Sequence, residues 1–395
     1  VLPLAPIDGS NLKVEFRQSA LTSPLRKLEI GSINHDYRNF RGLPNHNDFW
    51  WTDNSGDSCS LPVSCVPEIT QVKQSVCLLI LNGIELCSGT MVNNTAQDGK
   101  PYLLTAAHCF DVGTTGVDYA EAETVAPTIV AFFNYEMPKC EPTIRGSQEF
   151  TIGGSTLKAF ASDIDFALVE LSSMPPVDFR PYYAGWNISV SPSAPFRGIH
   201  HPFGKVKVMA RENNAITNTS YSGLLSNSHW LVSRWDTGTT QGGSSGSGLF
   251  DANLRLVGSL TGGYSECLDP INDYYFRLNK AWSYYSSATA QLKAWLDPTN
   301  SGVTAIDGLN PYGNDSALRY SNLSLSDTAE IARLSSPNSG YVAGHNSFYM
   351  YKYAERYSLP ENAYLYGVYF VTAKANATQS TTDTIEIKVY AGDSI

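Results

Sequence analysis

Residues 241–250, QGGSSGSGLF, form the stretch that decides the fold: a glycine-rich turn that carries Ser245 into an apolar strand. Glycine permits positive φ angles and lets a substrate backbone approach closely. A turn of this kind can expose a hydroxyl group and aim two backbone N–H groups at one point, as an oxyanion hole requires. Gly/Ser-rich runs are more often plain loops, so the interpretation depends on partner residues elsewhere in the chain.

Two upstream segments supply those partners. Residues 102–109, YLLTAAHC, read as an apolar strand that ends in small residues and then His108. Residues 163–171, DIDFALVEL, place an acid at the start of a second apolar strand. A serine hydroxyl is a weak nucleophile at neutral pH and needs a base within hydrogen-bond reach. The order His, Asp, Ser therefore indicates nucleophilic catalysis.

This order, with the motifs AAHC, DFAL and GSSG, resembles the chymotrypsin-type serine proteases, and most closely the bacterial lysyl endopeptidases. The resemblance covers about residues 58–309 and is carried by segments 92–95, 104–109, 184–186, 199–202, 243–247 and 295–298. It implies an all-β fold of two six-stranded antiparallel β-barrels with a C-terminal helix.

By this resemblance Ser245 is the nucleophile, His108 is the general base and then the acid, and Asp165 fixes the imidazole. The backbone N–H groups of Gly243 and Ser245 would form the oxyanion hole. Asp163 is the alternative to Asp165, because alternation places both on the same side of a strand. The family sets its acid directly before the Phe-x-Leu run, which favours Asp165.

For three further residues of the family motifs, Ser244, His200 and His201, the sequence indicates no role in the chemical step. Ser244 stands where many trypsin-like enzymes carry an aspartate that receives the freshly cut N-terminus, so the resemblance implies no activation switch of that kind. His200 and His201 lie in a family motif, but no chemical role follows from it. We expect packing or backbone hydrogen bonding from both.

The resemblance also implies a specificity pocket below Ser245. Residues 258–264, GSLTGGY, should form its wall, with Thr261, Gly262 and Gly263 pairing with substrate as an added strand. Residues 272–277, NDYYFR, match the family's pocket acid, so Asp273 is predicted as the floor. Asp269, in a Leu-Asp-Pro turn, is the alternative.

A buried carboxylate would select a substrate ammonium or guanidinium group. The sequence departs from the family here, because Thr261 replaces a histidine and the loop at 220–235 is shorter. Trp230 and Trp235 are therefore predicted as core residues. The choice between lysine and arginine stays open at this point.

Seven cysteines favour an oxidising compartment, and the absence of a CxxC pair argues against a zinc site. The resemblance implies that Cys77 is left as a buried free thiol. It also implies three disulfides, Cys59–Cys267, Cys65–Cys140 and Cys87–Cys109. No metal and no cofactor is implied.

Composition sets wider bounds. The 395 residues predict two or three units, and a net charge of −10 argues against nucleic-acid binding. No run of eighteen apolar residues is present, so no membrane span is predicted. Because the chain starts at Val1 without a methionine, we expect that a signal peptide has been removed or is not included in this sequence.

The chain reads as three regions. Residues 1–57 are irregular and predicted as an N-terminal extension or residual propeptide, and residues 58–309 form the protease domain. Within it, residues 283–297 have helical spacing, with Ser286 or Ser287 as cap. Residues 310–395 predict a small, incomplete β-sandwich.

The sequence thus predicts a secreted, monomeric serine endopeptidase that cleaves proteins or peptides after lysine, with arginine open, through an acyl-enzyme. The alternative is an inactive, protease-like binding or adhesin protein that acts through the C-terminal module. That module is a candidate for binding a surface or polymer in either case.

Overall fold

The computed structural model describes residues 3–4, 30, 59–111, 116–140 and 146–313. The chain divides into two units, Val1–Ala317 and Leu318–Ile395, and every described residue belongs to the first. The predicted β-sandwich and nearly all of the predicted N-terminal extension therefore lie outside the described residues.

Antiparallel strands are the main regular structure of the described part and helices are few, which confirms the predicted all-β class. Its strands in chain order are β1 (Leu61–Pro62), β2 (Val76–Leu81), β3 (Glu85–Met91), β4 (Tyr102–Thr105), β5 (Val130–Phe132), β6 (Thr151–Gly153), β7 (Ser155–Ala161), β8 (Phe166–Leu171), β9 (Trp186–Asn187), β10 (Phe196–His200), β11 (Val208–Glu212), β12 (Thr217–Thr219), β13 (His229–Arg234), β14 (Gly248–Phe250), β15 (Leu256–Gly263), β16 (Ile271–Arg277) and β17 (Ala305–Ile306).

The first sheet has the order β6-β5-β2-β3-β4-β8-β7. All six residues of strand β2 are apolar, and all six are buried. Asn82 and Gly83 turn the chain into β3 with φ angles of 50° and 70°, which asparagine and glycine tolerate best. Strands β4 and β8 are antiparallel, with Thr105 opposite Ala167. The segment after β4 and the turn before β8 therefore lie at the same end of this sheet.

The second sheet has the order β1-β11-β10-β14-β15-β16-β13-β12, with the short strands β9 and β17 attached at β15. One buried apolar cluster joins the two sheets and includes Leu104 and Phe166 from the first and Phe250 and Phe276 from the second. The rings of Phe166 and Phe276 lie 6.0 Å apart. The turns that face this junction are thereby brought together from distant parts of the chain.

Three short α-helices are described: α1 (Tyr119–Val125), α2 (Leu278–Ser283) and α3 (Lys293–Leu296). The helical segment predicted at 283–297 is divided, because a 3₁₀ turn at Ala288–Ala290 separates α2 from α3. Ser287 caps that turn by accepting the N–H of Thr289. Within the described ranges, no helix has the length and apolar character needed to cross a membrane.

The structure forms the three cystines that the resemblance implies: Cys59–Cys267, Cys65–Cys140 and Cys87–Cys109. The first has a sequence separation of 208 residues and ties the start of the described domain to the loop before β16. Cys77 is the buried free thiol.

Candidate active site

His108 and Asp165 meet at one end of the first sheet. His108 lies in a 3₁₀ turn, Ala107–Phe110, directly after β4, and Asp165 lies in the turn between β7 and β8. Nδ1 of His108 is 3.0 Å from both carboxylate oxygens of Asp165. The backbone N–H of His108 also donates to Oδ1, at 2.9 Å. The carboxylate therefore fixes both the backbone and the ring of the histidine.

The surroundings of this pair suit a general base. Asp165 is buried, whereas the side chain of His108 keeps 42% of its surface exposed. Burial lowers the pKa of His108, but the charge and hydrogen bond of Asp165 outweigh it, so the pKa is raised overall. The ring thus has the side chain of Asp165 on one nitrogen and open access on the other side.

The structure separates Asp163 from this pair. Asp163 accepts a short hydrogen bond from the hydroxyl of Tyr285, and its backbone carbonyl accepts the N–H of Leu225. The expectation that Asp163 and Asp165 share one side of a strand is wrong, because residues 162–165 form a turn in which Asp165 has a φ of 70°. That turn aims only Asp165 at His108.

Ser245 lies in the glycine-rich turn that precedes β14, facing the segment that carries His108. Its carbonyl accepts the N–H of Ser88 at 2.8 Å. The next residue, Gly246, packs so closely on the end of β4 that a Cβ atom there would lie 2.8 Å from the backbone nitrogen of Ala106. No hydrogen bond joins Nε2 of His108 to Oγ of Ser245 among the described residues; such bonds are often long or poorly aligned in enzymes without substrate.

The same turn presents two unused amides. Gly243 has a φ of 85°, and a Cβ on it would lie 2.9 Å from the backbone nitrogen of Phe203. Glycine is therefore required at this position. Within the described part of the chain, the N–H groups of Gly243 and Ser245 donate to no protein acceptor. These are the two groups that the sequence predicted for the oxyanion hole.

A second buried carboxylate, Asp273 of β16, lies in the second sheet. Its Oδ2 accepts hydrogen bonds from Nε1 of Trp235 at 2.6 Å and from Oγ1 of Thr240 at 2.7 Å. Its Oδ1 has no hydrogen-bond partner in the described ranges, and Gly263 lies so close that a Cβ there would overlap this oxygen. A buried carboxylate oxygen that lacks a partner, next to a residue without a side chain such as Gly263, is suited to receive a cation.

Burial raises the pKa of Asp273 to about 6. The hydrogen bonds from Trp235 and Thr240 oppose this rise, as does the proximity of Ser265, because all three favour the ionised form. The alternative, Asp269, is exposed and paired with Arg234 at 2.9 Å. Of the two candidates for the pocket acid, Asp273 and Asp269, only Asp273 is buried.

The predicted wall contains a contact that sequence reasoning missed. Oγ1 of Thr261 lies 3.0 Å from Nε2 of the buried His229, whose ring lies 5.7 Å from that of Tyr221. Burial lowers the pKa of His229 to about 4, so this imidazole is neutral near pH 7. No sequence signal marks His229, because it sits in an apolar strand run.

Trp230 and Trp235 are both buried, as predicted, but their indole N–H groups donate to different acceptors. Nε1 of Trp230 donates to the carbonyl of Val257, whereas Nε1 of Trp235 donates to Asp273. Trp235 thus contacts the acid that was predicted as the pocket floor, a contact that the sequence did not indicate.

Comparison with known proteins finds a family that matches this sequence. A family model described as the lysyl endopeptidase C-terminal domain matches residues 53–276, more than half of the chain. The lysyl endopeptidase of Pseudomonas aeruginosa is 29% identical over 217 residues, which are 52% of this chain and 43% of that protein. The chain thus spans less than half the length of this curated relative.

Solved structures show distant likeness only. A protease from M. tuberculosis in its active form has a TM-score of 0.37 at 14% identity, covering 54% of this chain and 81% of its own. A thermostable serine protease from an extremophilic microorganism has a TM-score of 0.37 at 15% identity, covering 52% and 91%. Scores this low carry no residue or activity over to this chain.

Proposed function

Because this chain belongs to the lysyl endopeptidase C-terminal domain family, we propose that it is a serine endopeptidase that hydrolyses peptide bonds after lysine. The observation that carries the proposal is the pairing of the buried Asp165 with both the backbone and the ring of His108. That pair faces a turn in which the amides of Gly243 and Ser245 have no acceptor among the residues that the structure describes. The proposed domain is residues 58–309.

In the proposed reaction, Ser245 Oγ attacks the scissile carbonyl while Nε2 of His108 takes its proton. The resulting oxyanion is bound by the amides of Gly243 and Ser245. His108 then gives the proton to the leaving amine, which produces the acyl-enzyme, and a water molecule activated by the same imidazole releases the product. Asp165 stabilises the imidazolium and fixes its tautomer.

The proposed lysine preference rests on Asp273. Its unpartnered Oδ1 would accept the substrate ammonium group, and the ion pair would lower the pKa of the carboxyl. A neutral side chain would leave this oxygen unpaired, which disfavours it strongly. Proteins and peptides with basic residues are therefore the proposed substrates, and a monomer is the proposed form.

We also propose secretion. The support is the three disulfides, which persist in oxidising compartments. Recovery of the native protein from culture medium, with one free thiol per chain, is the expected result. A fully reduced cytoplasmic form would contradict it.

Replacement of Ser245 tests the chemistry. Ser245→Ala should reduce hydrolysis of a lysyl ester by about a millionfold, as loss of the nucleophile does in other Ser-His-Asp enzymes. The circular dichroism spectrum should stay that of the wild type. Retained turnover in a folded Ser245→Ala protein would refute the assignment.

A matched pair of variants tests the specificity. Asp273→Asn should abolish cleavage after lysine while leaving the labelling of Ser245 by a small fluorophosphonate intact. Asp269→Asn removes an acid of the same type from the exposed pair with Arg234 and should cleave lysyl substrates like the wild type. Cleavage of a peptide library by the wild-type protein compares the rates of cleavage after lysine and after arginine. Equal loss in both variants would contradict the role of Asp273.

A further inference from the structure

A buried histidine lies directly beneath the turn that carries Ser245. His200, the last residue of β10, has no exposed surface. Its Nδ1 lies 2.8 Å from Oγ of Ser244, and its Nε2 has no hydrogen-bond partner among the residues that the structure describes. Among the described residues, the hydrogen bond to Ser244, which precedes Ser245, is therefore the polar contact of this ring.

Ser244 closes the turn on itself. Its Oγ accepts the backbone N–H of Gln241 at 3.1 Å, and its own N–H donates to the carbonyl of Gln241 at 2.9 Å. The hydroxyl of Ser244 therefore has two contacts, the N–H of Gln241 and Nδ1 of His200, and its rotamer in the structure serves both. The hydrogen bond to His200 selects that rotamer, because the ring is enclosed and cannot follow the hydroxyl elsewhere.

The carbonyl groups of Gly242, Gly243 and Ser245 all accept hydrogen bonds from residues outside the turn. The carbonyl of Gly242 accepts the N–H of Phe203 at 2.5 Å, and that of Gly243 accepts Oγ of Ser88 at 3.0 Å. The carbonyl of Ser245 accepts the N–H of Ser88. A flip of the peptide between Gly242 and Gly243 would break the first of these bonds and would turn the Gly243 N–H away from the site.

We infer that His200 is a positioning residue that acts through Ser244 to hold the turn with the Gly243 and Ser245 amides free for the oxyanion. This inference rests on the proposed function. Ser88 is the second anchor, since its hydroxyl also accepts the N–H of His201 at 3.0 Å and so ties β3 and β10 to the turn. These contacts of His200 and Ser88 with the turn, called the brace below, lie within the folded domain and do not require a freshly cut N-terminus.

The test compares three variants: His200→Ala, His200→Asn and His201→Ala. Asparagine can place an amide near the position of Nδ1 and keep a bond to Ser244. His201 is the matched control, because it is equally buried and adjacent, but its ring bonds to the carbonyl of Lys205 and stacks on Tyr135. Each protein is titrated for active sites, and kcat and KM are measured with a lysyl ester.

Two inhibitors separate positioning from a general loss of structure. A lysyl peptide aldehyde forms a tetrahedral adduct with Ser245 whose oxygen needs the two amides, whereas butylammonium needs only the pocket of Asp273. We expect His200→Ala to lower kcat and aldehyde affinity together by about tenfold to a hundredfold, the range for small misplacement of reacting groups. KM and butylammonium affinity should not change, His200→Asn should recover part of kcat, and His201→Ala should keep kcat.

The outcomes are distinguishable. A wild type that hydrolyses no ester and takes up no fluorophosphonate ends the proposed function before any variant is compared. An active wild type with unchanged kcat and aldehyde affinity in His200→Ala overturns the brace alone, as does an equal loss of kcat in His201→Ala. If His200→Ala does not fold, Ser244→Ala removes the same bond without a core cavity, and a normal kcat there overturns the inference.

Discussion

Nε1 of Trp235 donates a hydrogen bond of 2.6 Å to Oδ2 of Asp273. This bond turns one carboxylate oxygen into the core and leaves the other, Oδ1, without a partner in the described part of the chain. A hydrogen bond to a charged group contributes about 1.5–3 kcal/mol. The tryptophan therefore keeps Asp273 ionised and oriented in a site where burial favours its neutral form.

Removal of that donor should weaken recognition of lysine. Trp235→Phe keeps most of the buried ring, so we expect kcat/KM for a lysyl ester to fall by about tenfold to a hundredfold, equivalent to the hydrogen bond lost. Trp230→Phe is the matched control, because it removes a buried indole bond to the carbonyl of Val257 instead. Equal kcat/KM losses in the two variants would contradict the pocket role of Trp235.

The pH dependence should separate the pocket from the nucleophile. The pKa of Asp273 is raised to about 6, so below that pH the carboxyl is neutral and cannot pair with lysine. We expect kcat/KM for a lysyl ester to rise with pH through two groups, Asp273 and His108. Inactivation by a small fluorophosphonate needs His108 but no ammonium pairing, so its rate should rise through one group. Identical pH profiles for the two reactions would rule out Asp273 as the pocket acid.

The sequence anticipated the parts of this site that are carried by local motifs. His108, Asp165 and Ser245 each stand next to a strand with a recognisable pattern, and the structure pairs the first two as expected. The contact of Trp235 with Asp273, the contact of His229 with Thr261 and the bond between His200 and Ser244 were not anticipated. They depend on which strands become neighbours, and no local pattern encodes that.

The fold shows the same division. Strand β7 was not predicted, although the alternation of buried residues with the exposed Thr156 and the half-buried Lys158 at its start is typical of a strand. Helix α1 was missed although Asp118 and Glu121 form a capping box, a signal readable from the sequence. The division of residues 283–297 into separate turns reflects packing of Leu292 and Leu296 in the core, which outweighs local helical spacing.

A buried ion pair should matter more to stability than an exposed one. Glu136 bonds Lys73 at 2.5 Å and the fully buried Lys207 at 3.4 Å. Glu136→Gln leaves Lys207 buried without its counter-charge, so we expect the free energy of unfolding to fall by about 3–5 kcal/mol. Glu170→Gln, which breaks the more exposed pair with Lys158, should cost about 1 kcal/mol or less. Urea unfolding measures both, and equal losses would contradict this difference.

The same pair predicts a pH effect. Burial raises the pKa of Glu136, but Lys207 and Lys73 outweigh it, and the pKa is lowered overall. A lowered folded-state pKa contributes stability that is present above the unfolded pKa and is lost as pH falls through the folded value. The stability gap between the wild type and Glu136→Gln should therefore narrow in acid, and a gap that widens there would contradict the pairing.

Cys77 should be inert in the native protein. Burial raises the pKa of its thiol to about 12, and the thiolate is the reactive form. We expect iodoacetamide to leave the folded chain unmodified at pH 8 and to add one group per chain after unfolding without a reductant. Rapid alkylation of Cys77 in the native state would show that the residue is accessible.

The nucleophile is tested most directly by locating a covalent adduct. After incubation with a fluorophosphonate, the wild-type protein is digested and the modified residue is identified by mass spectrometry. The account predicts one adduct, on Ser245, which forms far more slowly in His108→Ala and is absent in Ser245→Ala. An adduct on another residue, or undiminished lysyl ester hydrolysis by Ser245→Ala, would contradict it.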